Sequence, residues 1–260
     1  MTDKKYDLTY LSFGAGVQST ALLVCSNLGL HGVPRADVAI FADTGFEPSH
    51  VYQQLRDMRR WSKIPVETVK ADPSKRVKRF IGIPVFTENG GATMRQCTND
   101  WKVVPIQKRV RQSLCRGDKA LAMIGISVDE AHRMKPSRKK WIDNSYPLID
   151  ARLRRADCLR IVAEAGLPKP ERSACYFCPY HSNHEWRMYR DKHPKEFARA
   201  VAYDASLRDG TSPLRSPAFL HRTRVPLDQV LLDRPDKPLF PEEPDQFGNE
   251  CEGMCGVCRP

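Results

Sequence analysis

LTYLSFGAGVQSTALL, residues Leu8 to Leu23, reads as a buried strand, a glycine-containing turn and the start of a helix. Leu8, Tyr10, Leu11 and Phe13 supply the apolar run, Gly14 and Gly16 free the backbone to turn, and Ser19 to Leu23 begin a helical pattern. A turn of this kind points backbone N–H groups and hydroxyls at an anion. Phosphate is the usual one, because a helix N-terminus carries about half a positive charge and unpaired donors. The spacing is neither that of Walker A, since no Lys follows the last glycine, nor G-x-G-x-x-G, so glycine spacing alone leaves a purely structural turn open.

Downstream, strand and helix alternate. A helix from about Ser19 to Leu28 stops at Gly29 with Pro34 beyond it; Ala36 to Phe41 is a short apolar strand ending at Asp43-Thr44-Gly45; a second helix spans roughly Ser49 to Ser62, with Val51, Leu55 and Met58 on one face. Pro65 to Val69 and Ala120 to Ile126 supply two further strands. Strands separated by helices imply an α/β fold with a doubly wound, parallel, Rossmann-like sheet, whose ligands sit outside the carboxyl ends of the strands. Ser12 to Thr20 and Asp43 to Gly45 both fall on that edge and would line one nucleotide-sized crevice. There Asp43 would bind a ribose hydroxyl or a metal ion, or else cap the next helix. The nucleotide domain is expected over residues 1–150 and a small helical, cysteine-rich C-terminal module over 151–260.

The chain has 260 residues, 41% of them hydrophobic, which is enough for a sizeable core, and its 42 Lys and Arg against 31 Asp and Glu give a formal charge of +11. That excess suits a polyanionic partner such as nucleic acid, with a solvated basic surface as the alternative. No apolar run approaches the roughly 20 residues of a membrane span, and MTDKKYD has no signal-peptide core, so a cytoplasmic protein with no membrane partner is expected. The nine cysteines then read as reduced thiols for metal or redox chemistry. Cys175-x-x-Cys178 precedes a proline, and the tail carries Cys251, Cys255 and Cys258. Two thiolates at that spacing reach one centre: zinc, completed from the tail or by His181 or His184, or an iron-sulfur cluster that also takes Cys97. Cys25, Cys115 and Cys158 read as packed or surface thiols.

Two basic segments stand out. Arg95, Lys102, Lys108, Arg109 and Arg111 surround Cys97, where cations would lower a thiol's pKa and attract phosphate. Arg133, Lys135, Arg138, Lys139 and Lys140 lie just before Trp141; they would form a track for a nucleic-acid backbone, with the indole stacking on a base and Arg133 nearest the phosphates, unless the run is only a solvated loop. From His184 to Leu207 the aromatic spacing fits an amphipathic helix, interrupted at Pro194, that packs the C-terminal module.

Three pieces in order, SFGAGVQST (12–20), FADTGFEP (41–48) and MRQCTNDWKVVPI (94–106), resemble the PP-loop ATP pyrophosphatase superfamily, in particular its phosphoadenylylsulfate-reductase-like branch, over Leu8 to about Ala205. That branch includes sulfonucleotide reductases and the ATP pyrophosphatases of DNA phosphorothioation. The resemblance implies an adenine nucleotide alpha hydrolase-like fold acting on ATP with Mg²⁺. Ser12, Gly14, Gly16, Gln18, Ser19 and Thr20 would hold phosphate, Asp43, Thr44 and Gly45 would face adenosine, and Ser19, Arg95, Lys102 and Arg133 would act in catalysis. Gln18 stands where the usual S-G-G-x-D-S has an acidic residue, and Gln96 where the iron-sulfur reductases have a second cysteine. The resemblance favours a [4Fe-4S] cluster on Cys97, Cys175, Cys178 and Cys251, leaving Cys255 and Cys258 as a persulfide-carrying or redox pair, with zinc as the alternative.

The implied function is ATP-dependent activation of a nucleic acid for sulfur incorporation, DNA phosphorothioation ahead of tRNA thiolation, with a cysteine desulfurase or other persulfide donor as partner. A sulfonucleotide reductase is the second reading: Glu250-Cys251-Glu252-Gly253 resembles the reductases' catalytic E-C-G-L-H but lacks the Leu-His. A non-catalytic nucleotide- or cluster-sensing nucleic-acid-binding protein is the third, supported by Gln18.

Overall fold

In the computed structural model, residues 5–71, 82–209, 214 and 216–233 are described. The apolar run of the opening stretch forms β1 (Leu8–Phe13), followed by α1 (Val17–Leu28), β2 (Val38–Asp43), α2 (Ser49–Trp61) and β3 (Val66–Lys70). A short β4 (Phe86–Thr87) and a π-helical turn, Asn99–Val103, lead into α3 (Val104–Gln112) and β5 (Ala120–Ile124). A 3₁₀ turn, Val128–Arg133, precedes β6 (Ile142–Ser145), α4 (Pro147–Asp150) and α5 (Arg155–Glu164). The chain continues through α6 (Asn183–Lys192), α7 (Pro194–Ser206) and β7 (Ala218–Phe219).

β3, β2, β1, β5 and β6 lie side by side in that order, all parallel. Ser12 is opposite Ile40 on one side and Ile124 on the other, so β1 is central and the strand order reverses between β1 and β5. That reversal opens a crevice at the carboxyl ends of those two strands. Side chains alternate along the strands. Leu11, Phe13, Ala39, Phe41 and Met123 join one core under α1, α2 and α5, whereas Tyr10, Ile40, Ala42 and Ala122 join another with Ile106 and Val110 of α3. Helices thus cover both faces, as the doubly wound reading requires. α1 ends as its sequence dictates, with Gly29 in the left-handed region at φ 69° and its N–H on Cys25 O.

The strand β6 was not expected, and it corrects the reading of the second basic run. Because β6 runs parallel to β5, with Ile142 opposite Ala120, the chain from Arg133 to Trp141 travels back to the amino-terminal edge of the sheet. Trp141 packs there beside the α3 core, with the Arg111 guanidinium 5.6 Å from its ring centre and its carbonyl accepting from the Ala120 N–H. It is not a stacking platform on the nucleotide edge.

The packing also crosses the division expected at residue 150. Cys158, Ile161 and Val162 of α5 belong to the core under α1, while Ile83 and Val85 join Phe177, Trp186, Tyr189, Ala200 and Leu220 in a separate aromatic core. β4 pairs antiparallel with β7 against that second core. Cys251, Cys255 and Cys258 lie outside the described residues. No helix among the described residues is long and apolar enough to cross a membrane.

A buried ion pair fixes the start of α6. Glu185 closes a capping box with Ser182 and pairs with Arg172, both side chains being nearly inaccessible. Burial pushes the Glu185 carboxyl up, but Arg172 and His181 outweigh it and hold the group far below the usual carboxylate range. Its contribution is therefore complete above its unfolded pKa of about 4.3 and is lost as pH falls towards the folded value. Glu185→Gln leaves the Arg172 charge buried without its countercharge, and we expect it to lower stability by about 3–5 kcal/mol in urea unfolding at neutral pH. The loss should shrink as pH falls below 4; an equal loss at every pH would contradict the ionic assignment.

Candidate functional site

The turn between β1 and α1 is held from inside. Ser19 Oγ accepts from the Gly14 N–H at 3.2 Å and donates to the Gly16 carbonyl at 3.3 Å, tying the two glycines across the bend. The left-handed residue is Ala15, with φ 60°, whereas Gly16 is extended; the non-glycine residue takes the conformation that glycine was expected to supply. Ser12, Gln18, Ser19 and Thr20 are all buried. Thr20 Oγ1 accepts from Gln54 Nε2 of α2 at 3.4 Å. Among the described residues the first turn of α1 has no capping side chain, which leaves its N–H groups as the polar lining of the bend.

Gln18 is the node that joins this turn to the end of β5. Its Nε2 donates to Glu130 Oε2 at 3.1 Å and its Oε1 accepts from Arg155 Nη1 at 2.9 Å. Glu130 is also paired with Arg133, whose side chain is 4% exposed. Arg133, expected to meet phosphates, is thus buried against a carboxylate. The carboxylate of Glu130 thus stands directly beside the Gln18 amide.

Asp43 does not cap α2, whose N-cap is Pro48. Its Oδ1 accepts from the Gly45 N–H and the Tyr52 hydroxyl, each at 2.7 Å, and its Oδ2 lies 3.1 Å from Lys70 Nζ. Burial pushes the Asp43 carboxyl up; the hydrogen bonds from Tyr52 and Gly45, with Lys70, outweigh that and hold it below its ordinary range. Gly45 closes this bend at φ 76°, a conformation open to glycine.

Thr44 leads from the nucleotide edge to the thiols. Its hydroxyl donates to Glu47 Oε1 at 3.0 Å and lies 3.6 Å from Cys175 Sγ. Both Thr44 and Cys175 line a cavity together with Cys97, Cys178, Arg95 and Lys102. Five sequence-predicted residues from two separate segments (Arg95, Cys97 and Lys102 from one, Cys175 and Cys178 from the other) therefore meet at one place. Lys102 Nζ lies 3.4 Å from Glu47 Oε1, both side chains being buried, and Arg95 lies over the Tyr180 ring at 5.4 Å. Among the described residues, the buried Glu47 Oε2 has no hydrogen-bond partner. Burial pushes the Cys175 thiol well above its ordinary range, Glu47 adding to the effect against Lys102 and Thr44. Lys102, one of the cations expected to act on Cys97, is already paired here with Glu47. Arg109 is turned away as well, forked onto Glu67 at 2.7 and 2.9 Å.

No protein-family model matches the chain, and no curated protein is significantly similar to it. One solved structure that aligns with it is the phosphate complex of phosphoadenylyl-sulfate (PAPS) reductase from Candida auris, at 14% identity over 64% of this chain and 76% of that one, with a TM-score of 0.43. At that score the likeness carries no argument, and the α/β assignment rests on the parallel sheet itself.

Glu47, Gly125, Glu130 and Arg155 were not singled out from sequence. Gly125 had a legible signal, a glycine closing the apolar strand ALAMI, which often marks a close backbone approach. A Cβ on Gly125 would stand 2.8 Å from Ser19 N and 2.9 Å from Ser19 Cα, so the turn seats directly on it. We expect Gly125→Ala to displace the first turn of α1, lowering stability by about 1–3 kcal/mol. Titration with ATP should show weakened binding in the folded variant; unchanged affinity would separate this turn from the nucleotide site.

Proposed function

We propose that the chain is an ATP pyrophosphatase of the PP-loop type that activates a nucleic acid for sulfur incorporation, DNA ahead of tRNA. The observation that carries this reading is the position of Thr44: one strand end, beside the β1 turn, reaches Cys175 in the thiol cavity. Nucleotide chemistry and sulfur chemistry would then share an edge.

In this reading the N–H groups at the start of α1 hold the β- and γ-phosphates, and Ser19 is a positioning residue that keeps Gly14 and Gly16 in register. Glu130, held by Gln18 and Arg133, supplies the carboxylate for Mg²⁺ that position 18 lacks. An oxygen of the nucleic acid attacks the α-phosphorus, the bond from that phosphorus to the bridging oxygen breaks, and pyrophosphate leaves. The terminal sulfur of a persulfide then displaces AMP, and a second thiol releases the sulfurated product by forming a disulfide with the donor cysteine. Cys255 and Cys258 are the candidate pair, and a cysteine desulfurase or other persulfide donor would load it.

Cys97, Cys175 and Cys178 would hold an iron-sulfur cluster, with zinc on Cys175, Cys178 and other ligands as the alternative. A cluster places its thiolates on separate irons, with Cys251 as the fourth ligand. When bound it would supply a redox-active or sulfur-binding centre. A protonated Cys175 would have to lose its proton to ligate, which the positive cluster core favours.

With anaerobic protein, ATP and Mg²⁺, we expect pyrophosphate release stimulated by DNA more than by tRNA, and Ser19→Ala to reduce it on the order of 10²-fold with the visible spectrum unchanged. Silence with ATP, together with sulfite release from a sulfonucleotide and thioredoxin, would move the protein to the reductases. Tight ATP binding without turnover would favour a sensor. Cys175→Ala should bleach the visible thiolate-iron absorption, and an unaltered spectrum would overturn the ligand assignment.

A further inference from the structure

His50 in the first turn of α2, Glu171 in the segment after α5, and His193 at the joint between α6 and α7 converge on one point. One ligand atom from each lies within 4.8 Å of the other two. Glu171 Oε2 is 3.6 Å from His50 Nδ1 and 3.7 Å from His193 Nε2, while the two imidazole centres are 5.3 Å apart. The edges of a tetrahedral zinc site with N and O ligands are about 3.3 Å, from bonds of about 2.0–2.1 Å. Closing the observed triangle onto an ion takes only a few tenths of an ångström along either carboxylate edge.

The histidine orientation is the second observation. His50 Nε2 lies 3.2 Å from the Arg172 carbonyl, and a carbonyl only accepts, so the ring proton sits on Nε2 and the Nδ1 lone pair faces Glu171. A backbone acceptor behind the far ring nitrogen is the arrangement that orients metal-ligating histidines. Among the described residues, the buried His50 Nδ1 has no hydrogen-bond partner. Both imidazoles are mostly enclosed, at 13% and 18% exposure, whereas Glu171 is 53% exposed. Tyr189 packs near both rings, and Glu196 lies on the same side through its bond to the Ser49 N–H. Glu171 and Glu196 together give the pocket a negative potential that a cation would relieve.

We propose that His50, Glu171 and His193 bind one zinc-class divalent cation, with water in the fourth position on the open side of Glu171. The donor set of two imidazoles and a carboxylate suits zinc. The site is separate from the thiol cavity. It would pin α2 of the sheet domain to the α6–α7 joint of the aromatic core, and so hold the two cores together independently of what the cysteines bind.

Cobalt(II) tests this on the full chain, because it reports its ligands. Chelator-treated wild-type protein should take up cobalt with d–d bands but no thiolate charge transfer for this equivalent, and zinc should displace it and raise Tm. Glu171→Gln, at an exposed loop position, and His193→Gln should each weaken that binding by at least about tenfold and abolish the zinc-dependent rise in Tm. Metal-free Glu171→Gln should keep the wild-type Tm, which separates lost ligation from lost folding. Uptake of the same sulfur-free equivalent by both variants, or cobalt bound only with thiolate charge transfer, would overturn the proposal.

Discussion

The close seating of α1 on the end of β5 is the constraint on which the site depends. Ser19 N and Cα lie where a side chain at residue 125 would begin, so the turn that ends β1 and the loop that ends β5 are in contact through backbone. Parallel pairing brings the two strand ends level, Ser12 opposite Ile124, and glycine lets the next step of chain pass without a side chain between. From that contact follow the positions of Gln18, Glu130 and Arg155, which hydrogen-bond across the same boundary. Larger groups at the crossing would part the strands at the place where an α/β sheet binds its ligands.

Charge is organised differently from what the net value implies. The chain carries +11, but several of its cations are matched to carboxylates: Lys102 with Glu47, Arg133 with Glu130 and Arg172 with Glu185 inside the protein, and Arg109 with Glu67 in a half-exposed pair. Such buried pairs contribute less to stability than to geometry, since desolvation offsets much of their attraction. A basic run in sequence therefore says little about the field a ligand meets. At the thiol cavity burial pushes the Cys175 thiol well above its ordinary range, and the carboxylate of Glu47 adds to the effect.

The parallel sheet was legible because β1, β2 and β5 are short apolar runs and because α2 buries Val51, Leu55 and Met58 at helical spacing. β6 was not, since Ile142-Asp143-Asn144-Ser145 has one buried residue and no apolar run; it is a strand only because β5 offers an edge. That one missing strand misplaced Trp141. The convergence of Cys97 with Cys175 and Cys178 was foreseen from thiol spacing and family resemblance, and the cavity contains all three. Glu47, Glu130 and Arg155 were invisible because a lone charged residue acquires meaning only from the partner that folding places opposite it.

Residues 44–50 show why the site and the second core behave as one unit. In order, Thr44 approaches Cys175, the Phe46 carbonyl accepts from the Tyr176 N–H, Glu47 meets Lys102, the Ser49 N–H donates to Glu196, and His50 reaches the Arg172 carbonyl. Phe46 also packs edge-on against Trp101, Tyr176 and Phe177. A segment that begins at a sheet edge and ends in a helix of the first core thus makes most of its side-chain contacts with the second. Any shift of the aromatic core moves Cys175 and Cys178 relative to Thr44, so the distance between strand end and thiol depends on packing far from either. The histidines and Glu171 lie at the far end of this same segment, where an ion would resist such a shift most directly.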